Sequence, residues 1–309
     1  MTHPQSEPDR EPSPARGPLY GAIEGGGTKI VCATGYSPYS VLDRAVIPTR
    51  DPKSTLEQVA DFFVEAQRGG GRISALGVAF FGPLGLRRDR SSYGHILATP
   101  KTGWSGVDLV GNLASRFKAP IALDTDVAAS ALAELRLGAG RDVRSLAYVT
   151  VGTGIGAGFA PSPERSTRML HPEAGHLRVR RVPSDDFEGI CPFHGDCLEG
   201  LASGLAIRAR WGCELSALPA EHPAWSVIGT YLGELAGSIA LMVSVERIVF
   251  GGGVSSERLL PHIRGAARAS LSGYVAQLDD GAAFDRYICL PMLGDDAGIA
   301  GAFLLAAEA

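Results

Sequence analysis

Two similar segments of the sequence restrict the fold more than any other feature. Gly21–Gly35 and Ala147–Ala160 each consist of an apolar run, a glycine-rich turn and a second apolar run. This pattern predicts a strand, a tight turn and a second strand. Two related α/β lobes with facing hairpin turns explain the repetition economically, and two unrelated glycine-rich turns are the alternative.

The rest of the chain predicts an alternation of strands and helices, as in an α/β fold. Apolar residues at helical spacing, or in short buried runs, indicate these elements: helices over Leu56–Ala66, Val127–Leu135, Ile228–Val245 and from about Gly298, and strands over Ile73–Phe81, Ile121–Asp124 and Ile248–Phe250. Residues 1–18 contain five prolines among polar residues, and we expect them to form a disordered tail.

Composition and charge exclude several classes of protein. Of 309 residues, 45% are hydrophobic and 20% are charged, which is enough apolar material for a large core. The formal net charge of −4 does not favour a nucleic acid or an anionic membrane as partner. The uncharged stretch Leu235–Val245 is far shorter than the roughly 18 residues of a membrane span. With no apolar signal at the start and an odd number of cysteines, five, we expect a cytoplasmic protein.

The glycine-rich turns are candidate phosphate-binding sites. Glycine lets backbone N–H groups approach phosphate oxygens closely, and the hydroxyls of Thr28 and Thr153 add donors beside them. Neither turn has the spacing of a P-loop or the strand-to-helix context of a dinucleotide fingerprint. A third glycine run, Gly251–Gly253, strengthens the interpretation that the chain binds a nucleotide.

Four residues have the spacing of a zinc site. His176, Cys191, His194 and Cys197 are arranged as H-x14-C-x2-H-x2-C. Two thiolates and two imidazoles form a tetrahedral set suited to Zn²⁺, and the short spacings let three ligands come from one loop. A metal would order a loop that has little core of its own. The alternative is a pair of buried cysteines with two incidental histidines.

Two aspartates are candidates for a general base. Asp124 and Asp126 stand where a predicted strand ends and a helix begins. An aspartate there can be held rigidly at a cleft, although an aspartate that only caps the helix is the alternative.

These motifs resemble those of the ROK (repressor–ORF–kinase) sugar kinases, in the actin/hexokinase ATPase superfamily. The glycine turns resemble the superfamily's two phosphate motifs, and the resemblance runs from about Tyr20 to the end of the chain. Three segments are similar to the fructokinase branch: Ile96–Trp104 (ILATPKTGW), His171–His176 (HPEAGH) and Cys191–Gly200 (CPFHGDCLEG).

The resemblance implies a fold and a domain organisation. We expect two actin-like (ribonuclease H-like) lobes with a cleft between them. The smaller lobe would comprise residues 19–125 and about 297–309, and the larger lobe residues 126–296, including a zinc-stapled loop over residues 176–200.

The resemblance also implies roles for individual residues. Asp126 becomes the general base, and Glu24 would contact Mg²⁺ through water. ATP would be bound by Gly26, Gly27, Thr28, Lys29, Gly152, Thr153, Gly154, Gly252 and Gly253, and the sugar by Gly82, Thr125, Glu173, His176 and Glu199. Zn²⁺ would be structural, held by His176, Cys191, His194 and Cys197. The family's helix usually has Asn two residues after the base, whereas this chain has Ala128.

The implied reaction is ATP-dependent phosphorylation of fructose to fructose 6-phosphate. A glucokinase, mannokinase or N-acylhexosamine kinase of the same family is the alternative. Glucokinases of this type have a Cys-x-Cys-Gly-x-x-Gly-Cys loop, and the loop here reads Cys-Pro-Phe-His-Gly-Asp-Cys. The expected partners are a hexose and ATP, and related kinases are often homodimers. Because both phosphate turns lie far from the zinc loop in sequence, we expect zinc loss to weaken sugar binding more than ATP binding.

Overall fold

The polypeptide forms two mixed β-sheets with helices packed on them. This computed structural model describes residues 17–161, 170–278 and 280–309, so the expected tail lies outside the described residues except for its last two positions. The first sheet contains β1 (Tyr20–Gly25), β2 (Lys29–Ser37), β3 (Ser40–Pro48), β4 (Ala75–Phe80) and β5 (Ile121–Thr125). Their order is β3-β2-β1-β4-β5. β1, β4 and β5 are parallel, and β2 is antiparallel to β1 and to β3.

The second sheet repeats the design of the first in shorter form. It contains β6 (Leu146–Val151), β7 (Ile155–Ala160), β8 (Arg247–Gly251) and β9 (Ile288–Cys289) in the order β7-β6-β8-β9. β6 pairs antiparallel with β7 and parallel with β8, as β1 does with β2 and β4. The strand–turn–strand prediction is therefore confirmed for both glycine-rich segments.

Nine α-helices connect and cover the strands in the described residues. They are α1 (Pro52–Gly70), α2 (Leu109–Arg116), α3 (Asp126–Leu137), α4 (Leu198–Ala202), α5 (Gly204–Trp211), α6 (Ala224–Met242), α7 (Leu260–Leu271), α8 (Gly281–Tyr287) and α9 (Ala297–Ala307). α1 is longer than predicted, because the carboxylate of Asp51 caps it by accepting from the Ser54 N–H at 3.0 Å. None of these helices is both long and apolar enough to cross a bilayer.

Each sheet has its own apolar core. On one side of the first sheet, α1 and α2 bury Phe63, Phe80 and Trp104 completely. On the second sheet, α6 and α7 pack together and bury Tyr231 and Phe250.

Two further helices tie the sheets together. α9 packs on β1 and β4, where Gly77 has no room for a Cβ because that atom would overlap the Ala302 carbonyl oxygen. α3 contacts α9 and also β6 and β7. The N-terminus of α3 is therefore held against both sheets, and this is where the candidate base lies.

Candidate active site

Asp126 is the first residue of α3, but it does not cap the helix. The cap is Thr125, whose hydroxyl accepts from the Ala128 N–H at 3.2 Å. The Asp126 carboxylate accepts from the Val127 N–H at 2.9 Å. Burial raises the pKa of Asp126 from the ordinary value of 3.8 to about 6, and the charge of Asp124 acts in the same direction. The helix-cap alternative for Asp126 is therefore wrong.

Asp124 has a different environment from Asp126. Its side chain is only 4% exposed, and its carboxylate accepts from the Thr125 N–H at 2.9 Å. Asp126 is half-buried and lines an open cleft. The two candidates therefore line different cavities, Asp126 the cleft between the sheets and Asp124 a second cavity.

The cleft has a volume of about 360 Å³ and is lined by residues of both sheets. Glu24 from β1 and Lys29 from β2 line one part of it, together with Asp126. Gly251, the last residue of β8, and Gly252 line another part of it. The structure thus brings predicted residues from distant parts of the chain to one cavity.

Acidic side chains around Asp126 influence one another. Burial, and next the Asp126 charge, raise the pKa of Glu24 to about 7. Burial and the charges of Glu199 and Asp126 raise the pKa of Glu173 to about 7 as well. Carboxylate oxygens are the ligands that Mg²⁺ prefers, and a dication would relieve the repulsion between Glu24 and Asp126. The donors at this position therefore fit a magnesium ion.

The first glycine turn joins β1 to β2 and is held from outside. The Gly26 N–H donates to the Lys29 carbonyl at 2.9 Å within the turn. The Thr49 hydroxyl donates to the Gly26 carbonyl at 2.8 Å, and the Lys101 ammonium donates to the Gly27 carbonyl. Thr49 and Lys101 are distant from the turn in sequence, so no role was predicted for either of them.

The second glycine turn joins β6 to β7 and contacts two other segments. The Glu199 carboxylate accepts from the Ile155 N–H at 2.8 Å, and a Cβ on Gly154 would lie 2.5 Å from the same oxygen. The Gly204 N–H donates to the Gly152 carbonyl at 2.7 Å. Residues just after the cysteine-rich loop thus hold this turn, which sequence distance did not indicate.

The third glycine run lies directly beside the second turn. Gly252 has φ +84°, a conformation that favours glycine, and a Cβ there would lie 2.6 Å from the Val151 carbonyl oxygen. The Val254 N–H donates to the same oxygen at 3.0 Å. Two of the three predicted nucleotide-binding segments are therefore neighbours at the ends of β6 and β8.

The four predicted zinc ligands converge. Their ligand atoms all lie within 4.8 Å of one another. The His176 Nδ1 atom lies 3.7 Å from the Cys191 sulfur and 3.6 Å from the Cys197 sulfur, and the His194 Nδ1 atom lies 3.7 Å from the Cys191 sulfur. Tetrahedral zinc with bonds of about 2.3 Å to sulfur and 2.05 Å to nitrogen requires about 3.5–3.6 Å between such atoms. The set fits zinc.

The backbone explains how these ligands converge. Cys191 and Gly195 exchange N–H···O bonds of 3.1 and 2.9 Å, and Gly195 has φ +64°. This tight turn points His194 back toward Cys191. The Nδ1 atom of His176 faces both sulfurs, so a metal bound there would leave the ring proton on Nε2, from which it could be donated to a ligand.

Of the remaining predicted sugar contacts, Thr125 lines a second cavity of about 180 Å³, together with Asp124, Ala128 and His171. Gly82, which follows β4, lies beside His171, since a Cβ there would lie 2.8 Å from His171 Nε2. The Thr125 hydroxyl is already engaged as the cap of α3.

No individual role was predicted for His171 from the sequence. Its Nε2 atom accepts from the Leu84 N–H at 3.1 Å and lies 3.6 Å from a Glu173 oxygen. Burial lowers the pKa of His171, so the ring is neutral at pH 7. His171 therefore links the loop after β4 to the segment that carries Glu173.

Comparison with known proteins identifies similar sequences over nearly the whole chain. The model of the ROK family matches residues 20–309. The fructokinase of Pediococcus pentosaceus is 40% identical over 94% of this chain and 98% of its own, and that of Zymomonas mobilis is 42% identical over 94% and 97%. A glucokinase of Halalkalibacterium halodurans is 28% identical over 91% and 93%.

Solved structures of the same family are similar in fold. The ROK hexokinase of Thermus thermophilus superposes with a TM-score of 0.73 at 27% identity, covering 94% of this chain and 98% of that one. A ROK family glucokinase of Streptomyces griseus, in complex with glucose and AMPPNP, superposes with a TM-score of 0.70 at 23% identity, covering 94% and 100%.

Proposed function

The chain belongs to the ROK family, and we propose that it is an ATP-dependent hexose kinase that converts fructose to fructose 6-phosphate. The named fructokinases are 40% and 42% identical to it, whereas the glucokinase is 28% identical. One observation supports the reaction most directly: the carboxylate of Asp126, whose pKa is raised, lies at a cleft. Glu24 and Lys29, which flank the first glycine turn, line this cleft, as do Gly251 and Gly252 of the third glycine run.

Asp126 acts as the general base in this proposal. An acceptor hydroxyl loses its proton as it attacks the γ-phosphate, and a carboxylate with a pKa of about 6 is ionised at pH 7 yet more basic than an ordinary aspartate. The hydrogen bond from Val127 and the packing of α3 fix its position. Phosphoryl transfer needs this positioning because the protein supplies little covalent chemistry.

The nucleotide lies across the glycine segments in our proposal. Gly26, Gly27, Thr28 and Lys29 grip the phosphates from one sheet, and Gly152, Thr153 and Gly154 grip them from the other, with Gly252 and Gly253 on the adenosine side. Mg²⁺ would be held near Glu24 through water. When bound, it neutralises charge on the phosphate oxygens.

The sugar is bound by groups that also have structural tasks. Glu173, Glu199 and the Nε2–H of His176 face its hydroxyls in our proposal, with Gly82 and Thr125 beside them. Zinc bound by His176, Cys191, His194 and Cys197 would hold the orientation of His176 and take no part in the chemistry.

We further propose the domain organisation that the sequence suggested. Residues 19–125 and about 297–309 form a smaller actin-like lobe, and 126–296 form a larger one. The packing of α9 on β1 and β4 supports this division. The lobes close over the substrates, which excludes water from the phosphoryl group. We expect the protein to act as a homodimer in the cytoplasm.

The sugar preference is tested by steady-state kinetics with fructose, glucose and mannose at fixed Mg·ATP. We expect the highest kcat/KM for fructose. Buried donors and acceptors that are placed for the groups of one sugar at its 2-position are left unpaired when another sugar binds, and each unpaired group costs about 1–3 kcal/mol. If glucose equals or exceeds fructose, the fructokinase assignment is wrong and the kinase assignment stands. If no hexose is phosphorylated, both are wrong.

A further inference from the structure

In the first glycine turn, the carbonyl groups of Gly26, Gly27 and Thr28 each accept a hydrogen bond from a residue outside the turn. The Gly26 carbonyl accepts from the Thr49 hydroxyl at 2.8 Å. The Gly27 carbonyl accepts from the Lys101 ammonium, and the Thr28 carbonyl accepts from the Thr49 N–H at 2.9 Å. Two residues outside the turn, Thr49 and Lys101, thus engage three consecutive carbonyl groups.

The planarity of the peptide bond gives these contacts a consequence. In a trans peptide the carbonyl oxygen of one residue points opposite to the N–H of the next. Fixing the carbonyls of Gly26 and Gly27 on one side therefore fixes the amides of Gly27 and Thr28 on the other. Both residues are exposed, and a Cβ on Gly27 would meet no atom within 4 Å, so there is room for a ligand beside the turn.

From this geometry we propose that Thr49 and Lys101 form a carbonyl clamp, which orients the Gly27 and Thr28 amides to bind nucleotide phosphate. The inference rests on the proposed function, since it assumes that the turn binds phosphate. Lys101 is a positioning residue in this scheme. Its charge acts on the phosphate through the peptide between Gly27 and Thr28, because a cation on the carbonyl polarises the N–H of the same peptide.

The clamp has a rigid base. The indole N–H of Trp104 donates to the Arg50 carbonyl at 2.8 Å, and Trp104 is fully buried in the core of the first sheet. Lys101 also approaches the Thr49 carbonyl at 3.4 Å, which connects the two halves of the clamp. Thr49 itself is only 8% exposed. The turn is therefore shaped before any nucleotide arrives, so less ordering entropy is lost on binding.

The test measures ATP and adenosine affinity by calorimetry on the full chain. Thr49→Val removes the hydroxyl at constant shape, and Thr49→Ser restores it. Lys101→Met removes the ammonium, with Lys53→Met, an exposed lysine on α1, as the charge control. We expect Thr49→Val and Lys101→Met to raise the Kd for ATP by about 10- to 100-fold, and that for adenosine by less than about twofold. Thr49→Ser should recover most of the ATP affinity.

A second readout separates positioning from a direct contact between Lys101 and phosphate. In the nucleotide-free protein, the clamp predicts that Lys101→Met changes the NMR shifts and speeds the hydrogen exchange of the Gly27 and Thr28 amides. It also predicts that the double variant with Thr49→Val and Lys101→Met raises the Kd for ATP by less than the product of the two single-variant increases. Unchanged amides with multiplicative losses would overturn the clamp, as would ATP affinity equal to wild type in both variants. If the wild type itself binds no ATP, the proposed function fails instead.

Discussion

Asp126→Asn should abolish catalysis and stabilise the protein. Asn keeps an oxygen that can accept from the Val127 N–H, so the start of α3 is preserved. Loss of a catalytic base lowers kcat by about 10²- to 10⁴-fold. Asp126→Asn should stabilise the fold because burial and the charge of Asp124 disfavour the ionised carboxylate of Asp126.

The size and the pH dependence of the stabilisation follow from the pKa. Asp126 has a pKa of about 6 in the folded protein and of about 3.9 in the unfolded chain, so the folded state binds its proton more tightly. Protonation of Asp126 therefore stabilises the folded state fully below about pH 4, and this stabilisation is lost as the pH rises through 6. Above pH 6 the buried carboxylate therefore costs at most about 3 kcal/mol relative to a neutral side chain.

Chemical denaturation of wild type and Asp126→Asn at pH 4 and pH 8 measures this difference. The free energy of unfolding of the variant should exceed that of wild type at pH 8, and the excess should vanish at pH 4. Asp124→Asn is the matched control, because it removes a neighbouring charge and keeps the base. The Asp124 charge raises the pKa of Asp126, so Asp124→Asn should lower that pKa. As the pH is lowered, kcat/KM of this variant should therefore begin to decline at a lower pH than that of wild type, which declines near pH 6.

Three results would refute this reasoning. Asp126→Asn with near-normal turnover would exclude Asp126 as the base. An equal change in stability at both pH values would show that the charge is not responsible. A loss of turnover in Asp124→Asn as large as that in Asp126→Asn would assign the base to Asp124 instead.

The remaining predictions concern the metal, closure and packing. Elemental analysis should find about one zinc per chain, and the Cys197→Ser variant should lose it. Glu199 is two residues after Cys197 and accepts from the Ile155 N–H of the second turn, so the affinity of this variant for both fructose and ATP should decline. Full activity in metal-free protein would contradict this. Saturating fructose with a non-hydrolysable nucleotide should reduce the radius of gyration in small-angle scattering, and ATP hydrolysis without sugar should be slow. Gly77→Ala should destabilise the protein by about 1–3 kcal/mol in urea denaturation, because its Cβ would overlap the Ala302 carbonyl; wild-type stability would show that α9 can move away.

The sequence predicted what depends on residues close together in the chain. Both hairpins, the helix that begins after β5 and the converging zinc ligands follow from local spacing, and the structure confirms these arrangements. β3 was not predicted because Ser40–Pro48 is almost entirely exposed and has no buried alternation; it is a strand only because β2 pairs with it. α4 and α5 were missed because each is short and a single residue, Ser203, separates them.

What the sequence could not predict are contacts between distant segments. Glu134 is a completely buried carboxylate in α3, and it accepts from the backbone N–H groups of Ala139, Met292 and Leu293. No spacing indicates that role. We expected zinc loss to weaken sugar binding more than ATP binding, because His176 and Glu199 would lose their support while the phosphate turns lie elsewhere in sequence. The bond from Ile155 to Glu199 connects this segment to the second turn, a contact that sequence distance does not indicate. The relative size of the two losses stays a prediction.

The packing of α9 on β1 and β4 also sets the order in which the chain can mature during translation. The face of the first sheet formed by Ala22 and Ala79 is covered by Ile299 and Phe303 of α9. At roughly 5–20 residues per second, a ribosome needs on the order of ten to forty seconds to pass from β4 to α9. For that interval the nascent chain carries an uncovered apolar sheet face, and such surface attracts chaperones and promotes aggregation.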